Sequence, residues 1–568
     1  MTICWFGGYG GHLGETGWPC PVGARVLWAG RLPAWCAGDW PESEVRVLPG
    51  RCQVAVIGPC AAASPSFAAR DEHGLVTAHA GSYTVIQAEG DELRVLTDLG
   101  SAWPVYLTRH AGGTVWGSSA RMLAALSGAH PDRAWLAAAL TDPAAPTHAG
   151  RSPFDGVTTV PPGSRLLLRP GRSPVITPAA PVTRLRLPEA AAGLRRALDD
   201  GIGARVREAS RPSSDLSGLD SGSVCTLAAR HVRPPARLTA VTVHPAGHDE
   251  GGDLDCARRV TGAHSQVGHR LLPLGPEHLP GTGLDQVPAT DEPAPSAVTW
   301  ARLAAEFTLL NELGSDCHLT GDGGDTLFFP GPGYLPVLAR SGRWLRLAAH
   351  AQGWARLRQS SPWPLLASSA CGTERPARAP WVTPLAAEMA PPAPGAGQCS
   401  TGQRALLEIQ AVGRSARSDA QLAETFGIRL HNPFTDSAVI TAALSVPAWQ
   451  RGDPWHYKPL LAAALAGLLP PALAARAAKG TFDADHHHGL RANLTALLDL
   501  ADGHLAALGL IDPRQLRIAL RSAAAGLPAP FGLLEPALAA ESWLRAISGA
   551  PPPVWERAEA STAAPERS

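Results

Sequence analysis

This sequence lacks an excess of charge of either sign. It has 49 lysine and arginine residues against 49 aspartate and glutamate residues, so its formal net charge at pH 7 is zero. A balanced composition gives no reason to expect binding to nucleic acid or to an anionic membrane surface. Any partner must therefore be recognised locally, by a particular site.

The sequence also lacks paired cysteines and targeting segments. Its ten cysteines contain no CxxC pair, which disfavours a zinc ribbon or dithiol redox site and favours free thiols. The start, MTICWFGGYGG, has neither the basic residues nor the apolar run of a signal peptide. The most apolar stretch, residues 460–475, contains Pro470 and Pro471 and is too short to span a bilayer. We expect a soluble cytoplasmic protein.

The length predicts more than one domain, because 568 residues exceed what one hydrophobic core usually organises. Up to about residue 170 the chain shows short β-type runs separated by glycine and proline. From Leu187 the pattern becomes helical. We predict a mainly β domain over residues 1–180 and a second domain over residues 187–548.

The second domain alternates strand-like and helix-like segments over residues 238–320, which is typical of a parallel α/β sheet. In such sheets ligands bind beyond the carboxyl ends of the strands. We expect mostly helix over residues 400–548. The Pro/Ala-rich residues 373–398 are predicted to be a mobile insertion, and residues 549–568 a disordered tail.

Two acidic turns carry the chemistry of this domain. Residues 215–223 read DLSGLDSGS, and such a Ser/Gly-rich turn before a helix suits a polyphosphate, although it also suits an ordinary helix N-cap. The preceding residues 211–214 resemble a poor strand. About a hundred residues later HLTGDGGD ends at Asp325, which could share a magnesium ion with Asp220. Together the turns suggest ATP chemistry on a carboxylate.

A third element follows, with Arg429, HNPFTD over residues 431–436, and Lys458. With it the chain resembles the asparagine-synthetase superfamily, whose synthetase domain carries SGGxDS, a TGxGxDE-like turn, a GxxxRxPFxD segment and a downstream lysine. Four elements in the same order are more specific than any one of them. The resemblance implies a parallel-sheet PP-loop ATP-pyrophosphatase domain with a helical C-terminal part, within an α/β chain.

The first domain shares this resemblance through residues 98–106, 116–119 and 160–164, which are similar to the family's DxxGxxPLY, FASxxK and PPG segments. They imply an Ntn-hydrolase-like α+β domain of the glutamine amidotransferase type 2 kind. Its glutaminase needs a cysteine directly after the initiator methionine, because the free α-amine is the base for that thiol. This chain has Thr2 there, and Cys4 lies too far along. We expect a glutaminase-like domain without its catalytic cysteine.

Two further departures concern the synthetase motifs. The first turn has one glycine fewer than SGGxDS, which leaves the register of Leu216 and Ser217 against a phosphate open. His431 stands where the family has the arginine of RxPF, and whether Arg429 replaces it also stays open.

The missing glutaminase cysteine resembles the branch that takes its amine from a substrate, the β-lactam synthetases and lasso-peptide cyclases. The cyclases are also similar in GDGGDxLF, in HNPFxD, in residues 479–482 and 489–491, and in ESWLR over residues 541–545. The resemblance implies a macrolactam synthetase that uses ATP to adenylate an Asp or Glu side chain of a precursor (core) peptide. The peptide's N-terminal amine then closes an isopeptide ring. A leader peptidase and a leader-binding protein are the implied partners.

The resemblance also implies roles for individual residues. Asp220 and Asp325 would ligate Mg²⁺, and Lys458 would stabilise phosphoryl and oxyanion charge. Asp322 would help to remove a proton from the attacking amine, although a carboxylate beside magnesium has a lowered pKa and is a weak base. The residues implied to hold ATP and its pyrophosphate are Leu216, Ser217, Gly218, Asp220, Ser221, Ser223, Gly321, Gly323 and Gly324.

Several alternatives stay open. The fold also suits an asparagine synthetase that uses ammonia, a β-lactam synthetase-like amide ligase, or a non-catalytic scaffold, and Lys458 also suits a solvated surface position.

Threading a peptide before ring closure demands a large cleft between the domains. Trp449 and Trp455 are candidates to line it, but core packing is the default expectation for each.

Overall fold

The computed structural model describes residues 3–11, 17–48, 52–62, 76–142, 150–178, 183–247, 250–371, 378–390, 401–470, 473 and 483–558. Thr2 and residues 479–482, which figure in the sequence comparison, lie outside the described residues, as do residues 559–568 of the expected tail.

The N-terminal domain consists of two six-stranded antiparallel sheets, with strand orders β11-β9-β10-β1-β4-β3 and β13-β12-β8-β7-β6-β5. Phe6 and Trp116 of the first sheet share one core with Ile86, Val95 and Leu166 of the second. The elements are β1 Trp5–Gly10, β2 Trp18–Pro21, β3 Arg25–Trp28, β4 Ala34–Ala37, β5 Val45–Leu48, β6 Gln53–Ile57, β7 Thr84–Glu89, β8 Glu92–Leu96, β9 Val105–His110, β10 Gly113–Gly117, α1 Ala120–Ser127, α2 Arg133–Thr141, β11 Thr158–Val160, β12 Arg165–Leu168 and β13 Val175–Thr177.

The second domain is built on a five-stranded parallel sheet of order β16-β15-β14-β17-β18, with helices between the strands. The strands are β14 Pro212–Asp215, β15 Leu238–Pro245, β16 Val267–Leu274, β17 Cys317–Leu319 and β18 Leu430–His431. The helices before β18 are α3 Leu187–Val206, α4 Leu219–His231, α5 Gly252–Ala263, α6 Trp300–Glu312, α7 Gly324–Phe328, α8 Leu335–Arg340, α9 Trp344–Leu357, α10 Pro362–Cys371, α11 Pro384–Met389 and α12 Thr401–Glu424.

The chain beyond β18 is helical up to a short final strand. Its elements are α13 Ser437–Leu444, α14 Ala448–Arg451, α15 Pro459–Ala464, α16 Asp483–Ala492, α17 Leu494–Leu500, α18 His504–Ala507, α19 Pro513–Ala524, α20 Phe531–Gly549 and β19 Trp555–Ala558. Short 3-10 turns occur at Glu42–Glu44, Pro276–His278, Leu284–Gln286, Pro295–Thr299, Pro332–Tyr334 and Pro433–Thr435. The α/β fold class is therefore confirmed: an N-terminal sheet domain, a parallel-sheet domain and a helical C-terminal part.

The expectation of a poor strand over residues 211–214 is wrong, because β14 is the central strand of the parallel sheet. Its proline occupies the first position, where a missing N–H is tolerated. The Ser213 hydroxyl, which makes the segment look unlike a buried strand, lies 2.6 Å from the Ser315 hydroxyl and 2.7 Å from His318 Nδ1. Polar residues are accommodated in this sheet interior because their hydrogen bonds are made there.

Two segments expected to be mobile or disordered contain regular secondary structure among their described residues. Within residues 373–398, the described residues 378–390 include α11, and Trp381 is buried in the core that also contains Leu136 of α2. Within the expected tail, β19 pairs antiparallel with β2 of the first domain. Burial of large apolar side chains outweighs the Pro/Ala-rich composition in both cases. Among the described residues, no helix combines the length and apolar character needed to cross a bilayer.

Candidate active site

The two acidic turns meet at the carboxyl edge of the parallel sheet. Strands β14 and β17 are neighbours, with Ser214 opposite Leu319, and each leads directly into its turn. Parallel strands bring the loops after their carboxyl ends to the same edge, which is the usual place for a ligand in open α/β sheets. The topology thus explains why residues about a hundred positions apart share one site.

The first turn closes despite its missing glycine. The Ser221 side-chain oxygen accepts hydrogen bonds from the backbone N–H groups of Ser217 at 3.0 Å and Gly218 at 3.3 Å. Gly218 is the N-cap of α4 and has an extended φ of −107°, so the turn needs no left-handed residue there. The N–H groups of this turn and the start of α4 are grouped as an anion site requires.

The second turn depends on glycine for its close approach to the first. A Cβ at Gly321 would lie 2.6 Å from the backbone nitrogen of Ser221, and one at Gly324 would lie 2.3 Å from Cγ of Asp220. Gly323, between them, has a φ of +89°, which side chains rarely adopt. Gly321 and Gly324 therefore lie where the two turns contact each other, whereas Gly323 faces Ile409 and Phe434.

Lys458 completes the site. Its Nζ atom is in hydrogen-bond contact with Oδ2 of Asp220 and lies 2.7 Å from Oδ1 of Asp325. The side chain is completely buried, so the alternative of a solvated surface lysine is wrong. Only two of the chain's 49 basic residues are lysines, Lys458 and Lys479. Because lysine is so scarce in this sequence, Lys458 stands out as a candidate functional residue.

The electrostatics of the site keep Lys458 charged. Burial by itself lowers the pKa of an ammonium group, but the carboxylates of Asp220 and Asp325 outweigh burial and raise the pKa of Lys458 above its usual value. The ring of Tyr457 lies 5.0 Å from Nζ and adds a cation–π contact. A fixed positive charge beside two carboxylates is thus available for a developing negative charge.

The donor set fits a magnesium ion, as the sequence implies. Asp220 and Asp325 bring carboxylate oxygens within reach of one point, and Mg²⁺ is typically held by one or two carboxylates plus substrate phosphates. When bound there, magnesium would neutralise charge on a triphosphate and favour the departure of pyrophosphate.

Three of the residues implied by the family resemblance have side chains outside the cluster of Asp220, Asp325 and Lys458. The Leu216 side chain is buried in the core, and its backbone N–H donates to Val241 at 2.8 Å. The Ser223 hydroxyl lies inside α4 and donates to the Leu219 carbonyl at 2.6 Å. Asp322 is exposed at the tip of the second turn. Contacts from Leu216 can come only from its backbone, and Ser223 must change rotamer to reach a phosphate.

A buried ionisable cluster beside the site was missed from the sequence. Oδ1 of Asp215, at the end of β14, lies 3.1 Å from Nε2 of His318 in β17, and Glu306 of α6 lies 3.9 Å from the same nitrogen. Burial raises the pKa of Asp215 to about 6 and that of Glu306 to about 8, and lowers the pKa of His318 to about 4. The sequence signal for the cluster was Glu306, a charged residue within the otherwise largely apolar helix α6.

Comparison with known proteins decides the family. The Asparagine synthase family matches residues 193–545, which is more than half of the chain. The chain belongs to the Asparagine synthase family. No curated protein matches it. Among solved structures, glutamine phosphoribosylpyrophosphate (PRPP) amidotransferase from B. subtilis, complexed with ADP and GMP, is similar at 10% identity and a TM-score of 0.20, over 56% of this chain and 81% of that one.

As a member of the Asparagine synthase family, the chain is an ATP-dependent amide ligase. The family assignment covers both acidic turns, the HNPFTD segment and Lys458. It agrees with the geometry, because Asp220, Asp325 and Lys458 meet at the edge of the sheet where a nucleotide binds in such folds.

The family's RxPF arginine has no direct substitute at the site. Arg429 forms an ion pair with Glu44 of the first domain and lies over the ring of Trp40. His431, at the arginine position, is largely buried, and burial lowers its pKa well below the usual value. Arg429 therefore binds the N-terminal domain, and His431 is neutral.

The N-terminal domain of this family member offers no reactive thiol near its start. Cys4 is buried in β-sheet surroundings, and its backbone N–H donates to Glu424 at 2.9 Å. Burial raises the pKa of the Cys4 thiol to about 12, so the thiol is not ionised at neutral pH. Cys4 is thus a packing residue and does not take over the role of a glutaminase nucleophile.

Proposed function

We propose that this amide ligase is a lasso-peptide cyclase, an enzyme that closes a macrolactam ring in a leader-freed core peptide. The observation that carries the proposal is the meeting of Asp220, Asp325 and Lys458 at one point, where the two acidic turns contact each other. The inert Cys4 supports an amine that comes from the substrate, because a glutamine-dependent enzyme needs an activated thiol.

The proposed reaction has two steps. An oxygen of an Asp or Glu side chain of the peptide attacks the α-phosphorus of ATP, the bond to the β-phosphate breaks, and pyrophosphate leaves. The peptide's N-terminal amine then attacks the activated carbonyl carbon, the amide bond forms and AMP leaves with the bonding electron pair. We assign the proton that the amine loses to Asp322, an exposed carboxylate of the second turn that does not contact Lys458.

In this scheme Lys458 acts by charge alone. Its ammonium group stabilises the negative charge that develops first on the α-phosphate and then on the carbonyl oxygen. Asp220 and Asp325 hold Lys458 in place and would hold magnesium. The first turn and the start of α4 would bind the pyrophosphate, for which the N–H groups of Ser217 and Gly218 must first release the Ser221 side-chain oxygen that they contact.

The test is incubation of the purified chain with ATP, magnesium and the leader-freed core peptide from a precursor gene beside its own gene. A leader peptidase and a leader-binding protein are the partners we expect among the neighbouring genes. We expect the peptide to lose one water molecule, with one AMP formed per ring. Formation of ADP, or of asparagine from aspartate and ammonium instead of a ring, would refute the proposal.

Asp220→Asn and Asp325→Asn are the matched variants for this test. Each keeps the size of the side chain and removes the charge that ligates a cation, so both should lose ring closure while remaining folded. Full activity in both variants would instead support a non-catalytic scaffold.

A further inference from the structure

The helical hairpin beside the active site carries an unusual surface. The described chain exposes three tryptophans, and all three lie here: Trp344 at the start of α9, Trp363 at the start of α10, and Trp455 in the loop before Lys458. Leu345 is 91% exposed, the highest value among the large apolar side chains. Exposed apolar groups concentrated in one region mark an interaction surface.

The surface has a defined structure around Trp455. The Trp455 indole N–H donates to the Ala349 carbonyl at 3.0 Å, and the guanidinium of Arg356 lies 5.1 Å from the ring centroid. Leu345, Ala349 and Arg356 fall on one side of α9, because their spacing of four and seven residues returns to the same helix face. We call Leu345, Ala349, Arg356 and Trp455 the α9 face. The expectation of core packing for Trp455 is therefore wrong.

The charge of this region has one sign. Residues 326–373 contain five arginines and no aspartate or glutamate. None of these arginines forms an ion pair with another described residue. Asp453, which lies two residues before Trp455, is already bound, because it accepts the Trp455 backbone N–H at 2.9 Å and lies 2.9 Å from His456 Nδ1. The surface thus suits an occupant with both apolar side chains and carboxylates.

The surface lies close to the active site along the chain. Trp455 is three residues from Lys458, at most about 10 Å of chain. Beneath it a row of aromatic rings runs from the site to α9: Tyr457 lies 5.2 Å from Phe329, and Phe329 lies 5.1 Å from Trp354. A peptide whose carboxylate reaches Lys458 can therefore lay its remaining residues along this surface.

We infer that the α9 face binds the part of the substrate peptide that does not react, through apolar contacts to Leu345 and Trp455 and carboxylate contacts to Arg356. The inference rests on the proposed function for the identity of the occupant. It adds a docking segment outside the catalytic residues, which holds the peptide while its ends are joined. An anionic membrane surface is the competing occupant for a basic, tryptophan-bearing helix.

The experiment measures binding by fluorescence anisotropy, with a fluorescein-labelled synthetic peptide composed of Gly, Phe and Glu, and a second peptide with Lys in place of every Glu. Leu345→Asp and Arg356→Glu should each weaken binding of the Glu peptide about tenfold, because each removes an anchor and adds repulsion. Leu527→Asp is the matched control, since Leu527 is also exposed but lies after α19. Arg356→Glu should bind the Lys peptide more tightly than the wild type does.

Two further arms separate the possible failures. Binding of the Glu peptide is measured without ATP, so docking can be detected even if the chain closes no ring. Unchanged binding in Leu345→Asp and Arg356→Glu would overturn the inference and leave the proposed function standing. Sedimentation with phosphatidylserine vesicles that is lost in Leu345→Asp, with unchanged peptide binding, would assign the face to a membrane instead.

Discussion

Lys458 is held in a backbone conformation that a lysine normally avoids. Its φ of +48° is left-handed, and it precedes Pro459, which disfavours helical backbone angles in the residue before it. Such a conformation costs about 1–3 kcal/mol and persists where surrounding contacts impose it. Here the contacts to Asp220 and Asp325 and the start of α15 impose it. Strain at this residue is consistent with a catalytic position.

Replacement of Lys458 tests its charge. Lys458→Met keeps most of the side-chain length and removes the ammonium, so we expect AMP formation to fall at least about 100-fold, as for loss of one oxyanion-stabilising group. Lys458→Arg should also be inactive, because a planar guanidinium does not fit a fully buried point-charge site. Quenched-flow measurement of AMP checks both. Wild-type rates in Lys458→Met would contradict the assigned role.

The buried Glu306 makes stability depend on pH. Its pKa is raised from 4.5 to about 8 by burial and by Asp215, so the folded state holds a proton that the unfolded state releases above pH 4.5. This contribution to stability is fully present below pH 4.5 and is lost as the pH rises through 8. Glu306→Gln cannot lose that proton. Its free energy of unfolding should therefore gain on the wild type by roughly 4 kcal/mol between pH 5 and pH 9 in urea titrations.

The contribution of His318 to stability depends on pH in the opposite direction and over a lower pH range. Burial lowers its pKa from 6.5 to about 4, so the unfolded state takes up a proton first, and stability from this residue falls as the pH drops from 6.5 to 4.

The Glu306→Gln variant tests the cluster as a whole. If its free energy of unfolding depended on pH above pH 5 as the wild type's does, the cluster would not be arranged as described.

At the scale of elements, the contact between the two turns is the most demanding feature. Gly324→Ala places a Cβ 2.3 Å from Cγ of Asp220, so Asp220 must move away from Lys458. We expect AMP formation to fall at least about tenfold, because displaced catalytic groups lose their orientation. Gly333→Ala is the control, since a Cβ there meets nothing within 4 Å. Equal activity of the two variants would contradict the geometry.

The final strand β19 should contribute to stability. The Trp555 ring lies 5.6 Å from Trp5 and 6.3 Å from Trp35, and its indole N–H donates to Met122 at 3.2 Å. We expect Trp555→Ala to lower the free energy of unfolding by about 2 kcal/mol. Val554→Ala, at an exposed neighbouring position, should leave it unchanged. Thermal unfolding followed by circular dichroism distinguishes the two.

The elements show how far the sequence determines fold and site. Hydrophobic patterns predicted α3 and β15 closely, and spacing predicted that Asp220 and Asp325 lie together. Strand β14 was missed because its Ser213 is satisfied by His318 of a distant strand, while Ser214 donates to the neighbouring Asp215 carbonyl. The Asp215–His318 pair was missed for the same reason, since contacts between parallel strands join residues far apart in the chain. Local patterns cannot show such contacts.

At the scale of the whole molecule, the two domains are joined by buried charges. Arg205 of α3 contacts both carboxylate oxygens of Asp436, at 2.9 and 2.6 Å, and the Ser82 hydroxyl of the first domain donates to the same carboxylate at 2.6 Å. Arg417 of α12 donates to the Cys4 carbonyl at 2.7 Å. Removal of one partner from a buried ion pair typically costs about 3–5 kcal/mol.

The second domain is therefore not expected to fold alone. A chain of residues 187–558 leaves the Asp436 carboxylate without Ser82 and β19 without β2. We expect it to be insoluble or to unfold without a cooperative transition, whereas the full chain unfolds cooperatively. A stable, ATP-hydrolysing fragment would show that the first domain is dispensable for folding.

Oxygen transfer from peptide to nucleotide tests the proposed chemistry of the whole molecule most directly. The acceptor carboxylate of the core peptide is labelled with ¹⁸O, the peptide is cyclised with ATP, and the products are measured by mass spectrometry. If the carboxylate attacks the α-phosphorus beside Asp220, Asp325 and Lys458, one labelled oxygen must appear in AMP. Label in inorganic phosphate, or retention of both labelled oxygens in the peptide, would contradict adenylation at this site.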